Sequence, residues 1–280
     1  MDGGGYGLNR TWESKMKILG RYRIHGMIVS LAHLRMTLAS SCCLVFFAGS
    51  LAAQSPLPSQ APPRPRYEVK RAASRIQVDG KLDEKTWQAA DPIVLIFPWE
   101  SQTGAKQKTT VRVLWDDQNL YIGYECEDTD ITAQFTERDD PTYRDDAVEA
   151  FINPRPSQTD VYFGLEMNAR AVLYDYVSIK SAQYILKRFN LQGVQLATFI
   201  DGTLNARGDQ DKGWSLEVAI PWANFEELSR RPEPGDVWAA AFNRWDGVEP
   251  NRRLSMWVDP LDRRANPHHP ERFGDLVFVR

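Results

Sequence analysis

The feature that most limits what this chain can fold into is a two-residue alternation of apolar and polar side chains that returns again and again after residue 110. Thr110 to Trp115 alternates. Leu120, Ile122, Tyr124 and Cys126 alternate with Tyr121, Gly123, Glu125 and Glu127. Val161, Phe163, Leu165 and Met167 alternate with Tyr162, Gly164, Glu166 and Asn168, and Trp214, Leu216, Val218 and Ile220 with Ser215, Glu217 and Ala219. Successive side chains of a strand point to opposite faces, so each run reads as a half-buried strand. Further strands are expected over 93–97, 148–153, 171–178, 194–200, 237–243, 254–257 and 276–279. Turn chemistry separates them: Asp116-Asp117-Gln118-Asn119, Asp201-Gly202, Asp211-Lys212-Gly213 and Pro234-Gly235-Asp236. Helical signal is confined to Asp83–Ala90, with Asp83 as its cap, and to Pro221–Leu228, neither long enough to organise a fold. The expectation is an all-β chain, an antiparallel β-sandwich of jelly-roll or immunoglobulin-like form with one or two short helices.

The chain divides unevenly along its 280 residues. Residues 1–35 carry a net charge of +4, with no apolar period over 1–26, and read as a disordered extension or as one that a mis-assigned start has added, the real initiator then being Met27 or Met36. Met36 to Ala53 is an uncharged run of 18 residues that follows Arg35 and ends in small residues, the pattern of a secretory signal peptide. A membrane anchor is the other reading, but the run is short for a span and diluted by Ser40, Ser41, Gly49 and Ser50. Gln54 to Arg66 is a Pro-rich linker, and the folded unit is expected over 67–280. The mature chain is therefore expected to be exported, to the periplasm or beyond, with no stable membrane insertion. Only Cys126 follows the apolar run, so neither an intramolecular disulfide nor a cysteine zinc site is available to the body. Residues 54–280 carry a net charge of −7 without a basic stripe, which argues against nucleic acid as a partner.

Seven phrases, in order, carry a resemblance. They are Ile76-Gln77-Val78-Asp79-Gly80-Lys81-Leu82-Asp83-Glu84 with Trp87; Val113-Leu114-Trp115-Asp116-Asp117 with Leu120-Tyr121-Ile122; Asp146-Ala147-Val148-Glu149-Ala150-Phe151-Ile152; Gly213 to Trp222; Phe242-Asn243-Arg244; Trp257 through Asp259-Pro260; and Pro270-Glu271-Arg272-Phe273-Gly274. Over residues 72–280 this set resembles the family 9 carbohydrate-binding modules and the exported proteins similar to them. The resemblance implies a distorted β-sandwich with bound calcium, gripping the reducing end of a glucan or xylan between two tryptophans. Tyr143 stands where the first tryptophan would be, and Pro267, His268 and His269 where the second would be. Glu149 matches a sugar-binding glutamate, and Glu166 and Asn168 match two polar positions of the next strand.

The alternation itself places Glu149, Glu166 and Asn168 on the face away from the core. If their strands are neighbours, an acid and amide comb results, and a sugar needs such a comb beside an aromatic plate. Solvated carboxylates on a polar sheet face are the plainer reading. Trp99, Tyr143, Tyr176, Trp245 and Trp257 lie at strand ends and are candidates for such a plate, Trp257 being equally able to pack in the core. Residues 125–149 hold ten acids against Arg138 and Arg144. A hard cation would offset their repulsion, with Asp128, Asp130, Asp139, Asp140 and Asp145 as candidate calcium ligands, although a run of charge is usually a solvated loop. The expected function is non-catalytic recognition of polysaccharide or oligosaccharide ends. Two alternatives stand beside it. One is a glycoside hydrolase with a Glu149/Glu166 pair. The other is a haem carrier with Met167 or Met256 and His268 or His269 as ligands.

Overall fold

Every alternating run becomes a strand. The computed structural model describes residues 62–187 and 189–280; the extension over 1–35, the apolar run 36–53 and the first part of the linker lie outside the described residues. The strands are β1 (Arg66–Arg71), β2 (Ile93–Val94), β3 (Thr109–Trp115), β4 (Asn119–Glu127), β5 (Ala147–Asn153), β6 (Val161–Asn168), β7 (Leu173–Ile179), β8 (Tyr184–Lys187), β9 (Gln195–Asp201), β10 (Gly213–Pro221), β11 (Val237–Asp246), β12 (Arg253–Met256) and β13 (Gly274–Phe278). One sheet runs β8-β7-β6-β5-β11-β13-β1, with β12 also on β11; the other runs β1-β3-β4-β10-β9, with β2 on β3. β1 belongs to both. Arg66–Val69 pair in parallel with β13, and Lys70 and Arg71 pair in parallel with β3. The other ladders are antiparallel, and those of β3 with β4, β6 with β7 and β7 with β8 are joined by short turns, which only antiparallel neighbours allow.

The two sheets close on one another through their apolar alternates. Val148, Ala150 and Ile152 of β5, Phe163, Leu165 and Met167 of β6, and Trp238, Ala240 and Phe242 of β11 meet Val111 and Val113 of β3, Ile122 and Tyr124 of β4, and Leu216, Val218 and Ile220 of β10. Each Val, Leu, Ile, Phe or Met among them contributes about 1.5–3 kcal/mol by leaving water. At one end Trp222 meets Trp238 edge-on at 5.7 Å, and Trp238 meets Phe278 at 5.4 Å. Such T-shaped pairs place a ring edge against a π face and add roughly 0.5–1.5 kcal/mol each.

The two expected helices are single 3₁₀ turns. Lys85–Ala89 follows Glu84 with no side-chain cap, so Asp83 does not cap it, and Trp222–Phe225 follows Pro221. Segments this short cannot offset the cost of a helical nucleus. The first is held by tertiary contact: Trp87 is buried on the outer face of the second sheet and its Nε1 donates to Glu217 Oε1 at 2.8 Å. Two strands escape the sequence reading. β1 has only Tyr67 and Val69 as inward apolar residues, and β8 is an exposed edge strand. No helix among the described residues is long and apolar enough to cross a membrane. Cys126 is a free, buried thiol, and burial pushes its pKa up to about 12, which leaves it inert at neutral pH.

Candidate functional site

The outer face of the first sheet is not the solvated polar surface that its alternation suggests. Where β5, β6, β7 and β11 run side by side, register sets Asn243 opposite Glu149, Glu149 opposite Glu166, and Glu166 opposite Tyr174. The next row sets Ala241 opposite Phe151, Phe151 opposite Gly164, and Gly164 opposite Tyr176. Phe151, Tyr162, Tyr174, Tyr176 and Phe273 form an apolar bed there, with Tyr143 packed on it. Gly164 has no Cβ because the Tyr176 ring lies on its backbone; an added Cβ would come within 2.3 Å of that ring. Leaning across β6 in this way lets the Tyr176 hydroxyl donate to Glu166 Oε1 at 2.8 Å.

Glu149 and Glu166 are consequently buried, 1% and 4% exposed. Glu149 Oε1 accepts from Trp245 Nε1 at 2.8 Å, and its Oε2 from Asn243 Nδ2 at 3.1 Å. Burial pushes the Glu149 carboxyl up to about 7, against the pull of Asn243, Trp245 and Arg252. Glu166 is raised well above the ordinary carboxylate range by burial and then by the neighbouring Glu149. Glu166 Oε2 and Asn243 Oδ1 are buried without a hydrogen-bond partner. Arg252, in the loop before β12, lies over the Trp245 ring at 4.1 Å and faces the pair. Tyr143, Trp245, Arg252 and His268 are half-buried, and form the accessible margin of this face.

The sequence-predicted site residues divide. Glu149 and Glu166 come together as neighbouring strands require, and Tyr143 packs against Tyr174 at 6.2 Å. Asn168 shares their face, but every hydrogen-bonding position of its amide is used inside the fold. Its Nδ2 donates to Phe135 O and Asp145 Oδ2, and its Oδ1 accepts from the Arg170 and Val172 backbones. It is the bracket of the β6–β7 turn and has nothing left for a ligand. Trp257 is not brought to the pair. It stacks on Phe242 at 5.5 Å, on the core side of β11, and meets Tyr67 edge-on. The amide and the indole of the site come instead from Asn243 and Trp245 of β11. Their spacing by two residues puts them on one face, but only the pairing of β11 with β5 carries them to Glu149. Arg252 left no signal in the sequence beyond its charge.

The expected calcium shell is not assembled. Asp130 is exposed; Asp140 accepts from the Thr136 and Glu137 backbones; Asp139 lies near Asn190. Asp145 is filled by the backbone N–H groups of Gln134 and Phe135 and by Asn168. Among the described residues the acids whose oxygens gather within 4.8 Å are Asp128, Asp146 and Asp246, all buried. Arg244, wholly buried, donates to Asp128 Oδ2 at 2.8 Å and to Asp246 Oδ1 at 3.0 Å, and Arg253 donates to Asp246 Oδ2 at 2.7 Å. Asp146 accepts from Thr132 and from the Gly247 backbone. Each of the six carboxylate oxygens already accepts an N–H or O–H donor, so this donor set does not fit a cation that wants six to eight oxygens. Two guanidiniums do the neutralising that the acidic run demands.

Haem ligation is not assembled either. Met167 points into the core, and Met256 packs with Trp99 and Leu254. His268 is on the outer face, stacked on Phe151 at 5.0 Å and bonded to Tyr162 at 2.5 Å, and burial lowers its pKa to about 4. His269 is held between Asp262 and Glu271 at 3.0 Å each.

Comparison with known proteins agrees with this architecture. The family model described as carbohydrate family 9 binding domain-like matches residues 78–280. The chain is 24% identical over 185 residues to exoglucanase XynX of Acetivibrio thermocellus, 65% of this chain but only 14% of that protein. A protein from Bacteroides uniformis ATCC 8492 shares the fold at a TM-score of 0.63 and 17% identity, over 77% of this chain and 100% of its own. A family 9 carbohydrate-binding module from Caldicellulosiruptor kristjanssonii, solved with cellotriose, shares it at a TM-score of 0.53 and 17% identity, over 76% of this chain and 93% of its own. With the sandwich in place and the family match running over nearly all of it, the chain belongs to the carbohydrate family 9 binding domain-like family.

Proposed function

We propose that this is an exported, non-catalytic carbohydrate-binding protein that holds glucan- or xylan-type chain ends on the outer face of its first sheet. The observation that carries this reading is the pair of unmet acceptors Glu166 Oε2 and Asn243 Oδ1, on the two strands that flank Glu149, on the face that also carries the aromatic cluster. Buried acceptors without partners are uncommon because desolvation is not repaid. Sugar hydroxyls supply the missing partners, and the C–H faces of a sugar ring suit Tyr143 and Trp245 at the margin. The similarity to a module solved with cellotriose supports the same class of ligand.

Binding is favoured over hydrolysis for a chemical reason. A glycosidase divides its two carboxyls into an acid with a raised pKa and an ionised partner with a free oxygen. Here both carboxyls are raised, and both oxygens of Glu149 are occupied by Trp245 and Asn243. Export is supported by the uncharged run 36–53 behind a basic stretch.

Calorimetric titration of the full chain with cellotriose, alongside a reducing-sugar assay on cellulose and xylan, tests the reading. Saturable binding without product release is expected. Product release that disappears in Glu149→Ala would establish the hydrolase instead. N-terminal sequencing of protein recovered outside the cytoplasm should find a start close to Gln54.

A further inference from the structure

The connection from β12 to β13 is bonded largely to itself. Leu261 N donates to Asp259 Oδ1, Arg264 N to Asp262 Oδ1, His268 N to Asn266 Oδ1 and His269 N to Pro267 O. Leu261 lies in the left-handed region at φ 59°, a conformation that a branched side chain keeps only where its surroundings hold it. Asp262 is the anchor of this stretch. Its carbonyl accepts from Trp99 Nε1 at 2.8 Å, and its Oδ2 lies 3.0 Å from Nε2 of His269. The other ring nitrogen, Nδ1, lies 3.0 Å from Glu271 Oε1. A neutral imidazole has a single N–H, so it serves one carboxylate and turns a lone pair on the other. Both contacts are attractive together only for the imidazolium. A different partner stands ready at the same nitrogen. Asn266 Nδ2 lies 3.3 Å from Nε2, and its amide is turned that way because its Oδ1 accepts from the His268 backbone. A lone pair on Nε2 therefore has a donor beside it, and an N–H on Nε2 has an acceptor.

We propose that His269 is a pH-operated latch on the β12–β13 connection: protonated, it clamps Asp262 to Glu271, and neutral, it releases Asp262 and accepts from Asn266 instead. The charged and titratable groups that face the ring are Asp262 from the stretch before it, Glu271 from the 3₁₀ turn Pro270–Arg272 after it, and its neighbour His268. The Arg264 backbone N–H, with that of Arg263 and the His269 ring, holds the Asp262 carboxyl below its ordinary range, so it stays anionic while an imidazole titrates. Burial, and then the charge on His269, pushes His268 down to about 4, so His268 stays neutral and does not compete for the proton. An imidazole gains its charge as pH falls. The latch is therefore shut on the acid side and lost as pH rises, and imidazole is the side chain that ordinarily makes this change between about pH 5 and 8. Once open, it leaves the stretch 261–265 with the Trp99 bond and its own short turns. The proposal stands apart from the sugar-binding reading, and its failure leaves that reading untouched.

Arg263 and Arg264 are exposed in that stretch and supply the readout. The full chain, as wild type, His269→Gln and Asp262→Ala, is treated with trypsin at pH 5.5 and pH 8.5, and cleavage after Arg263 and Arg264 is followed by fragment mass. Rates are compared between wild type and variant at one pH, so the protease's own pH dependence cancels. Wild type should be cleaved about fivefold more slowly than His269→Gln at pH 5.5, the size of a partly exposed ion pair, and at a rate within twofold of it at pH 8.5. A ratio under twofold at pH 5.5, or of twofold or more at pH 8.5, overturns the latch. Asp262→Ala breaks the same contact from the other side and carries the comparison should His269→Gln not fold. Nitrogen NMR of the wild-type ring adds a signature that a merely structural histidine would not give. At pH 5.5 both ring nitrogens of His269 should carry a proton, and at pH 8.5 the one remaining proton should sit on Nδ1, facing Glu271. A ring already neutral at pH 5.5, or one that keeps its proton on Nε2 at pH 8.5, overturns the exchange between Asp262 and Asn266.

Discussion

Two groups of buried carboxylates sit on opposite sides of the same sheet, and they have been finished differently. On the inner side, Asp128, Asp146 and Asp246 surround Arg244 and Arg253; each carboxylate oxygen has its donor, and Nε of Arg244 is the one buried polar atom of these side chains left without a partner. On the outer side, Glu149 and Glu166 share a face with Asn243, Trp245 and Arg252, and four polar atoms remain unmet. Asn243 and Arg244 are adjacent in β11, so one step along the chain separates a closed network from an open one. A network whose acids are all met ties loops together and leaves no acceptor for a ligand. An open one has been desolvated without compensation, which a protein tolerates where a ligand completes it.

The comparison is most sharply broken by removing the inner cation. Arg244→Met should cost about 3–5 kcal/mol in a urea titration, because it strands buried charge. A loss under about 1 kcal/mol would mean that the inner acids are neutralised by something else.

The two groups should respond to pH in the same direction. Burial holds Glu149 and Asp146 at about 7 in the folded state, above their ordinary values of 4.5 and 3.8. The folded state therefore keeps these protons where the unfolded chain has released them. Stability should fall as pH rises through that window, by on the order of 3–4 kcal/mol per group at most. Thermal melts at pH 5 and pH 8 measure this, and Glu149→Gln should remove the part that Glu149 contributes. A protein more stable at pH 8 than at pH 5 would reverse the assignment.

A smaller effect, confined to the open group, is expected of Glu166→Gln. The amide relieves a desolvated acid, so the melting temperature at pH 8 should hold or rise while cellotriose affinity falls about tenfold, roughly 1.4 kcal/mol. Equal losses of stability and affinity would make Glu166 a structural residue. Tyr143→Ala, at the margin, should weaken sugar retention about threefold on an affinity gel and change stability by less than about 1 kcal/mol. Least of all should a chelator matter. EDTA is expected to leave the melting curve in place because the inner acids already have their counter-charges, and a calcium-dependent rise of several degrees would show that they do not suffice.

The parts of this molecule that could be read from the chain are those whose cause lies within a few residues. Glu149 and Glu166 were legible because alternation fixes the face of a side chain relative to its neighbours at i±1 and i±2. The same rule put Asn168 on that face and could not say that its amide would be consumed by the Arg170 and Val172 backbones. Trp257 illustrates the opposite error. Its place beside Asp and Pro suggested an exposed ring, but the end of β12 turns it onto Phe242. Calcium was expected from a density of acid along the chain, and density along the chain carries no information about Arg244, which comes 116 residues after Asp128.

The sequence by itself determined that the chain would be a sandwich of strands, which residues would fill its core, and that an acid pair would lie on the other side of one sheet. Period, turn chemistry and composition are local, and they survive in any arrangement of the strands. Tertiary structure alone decided which partners that pair would meet. Asn243 and Trp245 reach Glu149 across 94 and 96 residues of chain, and they do so only because β11 pairs with β5 in one register. A slip of one residue would have turned Arg244 toward the site and buried Asn243 in the core, since strand register flips every face at once.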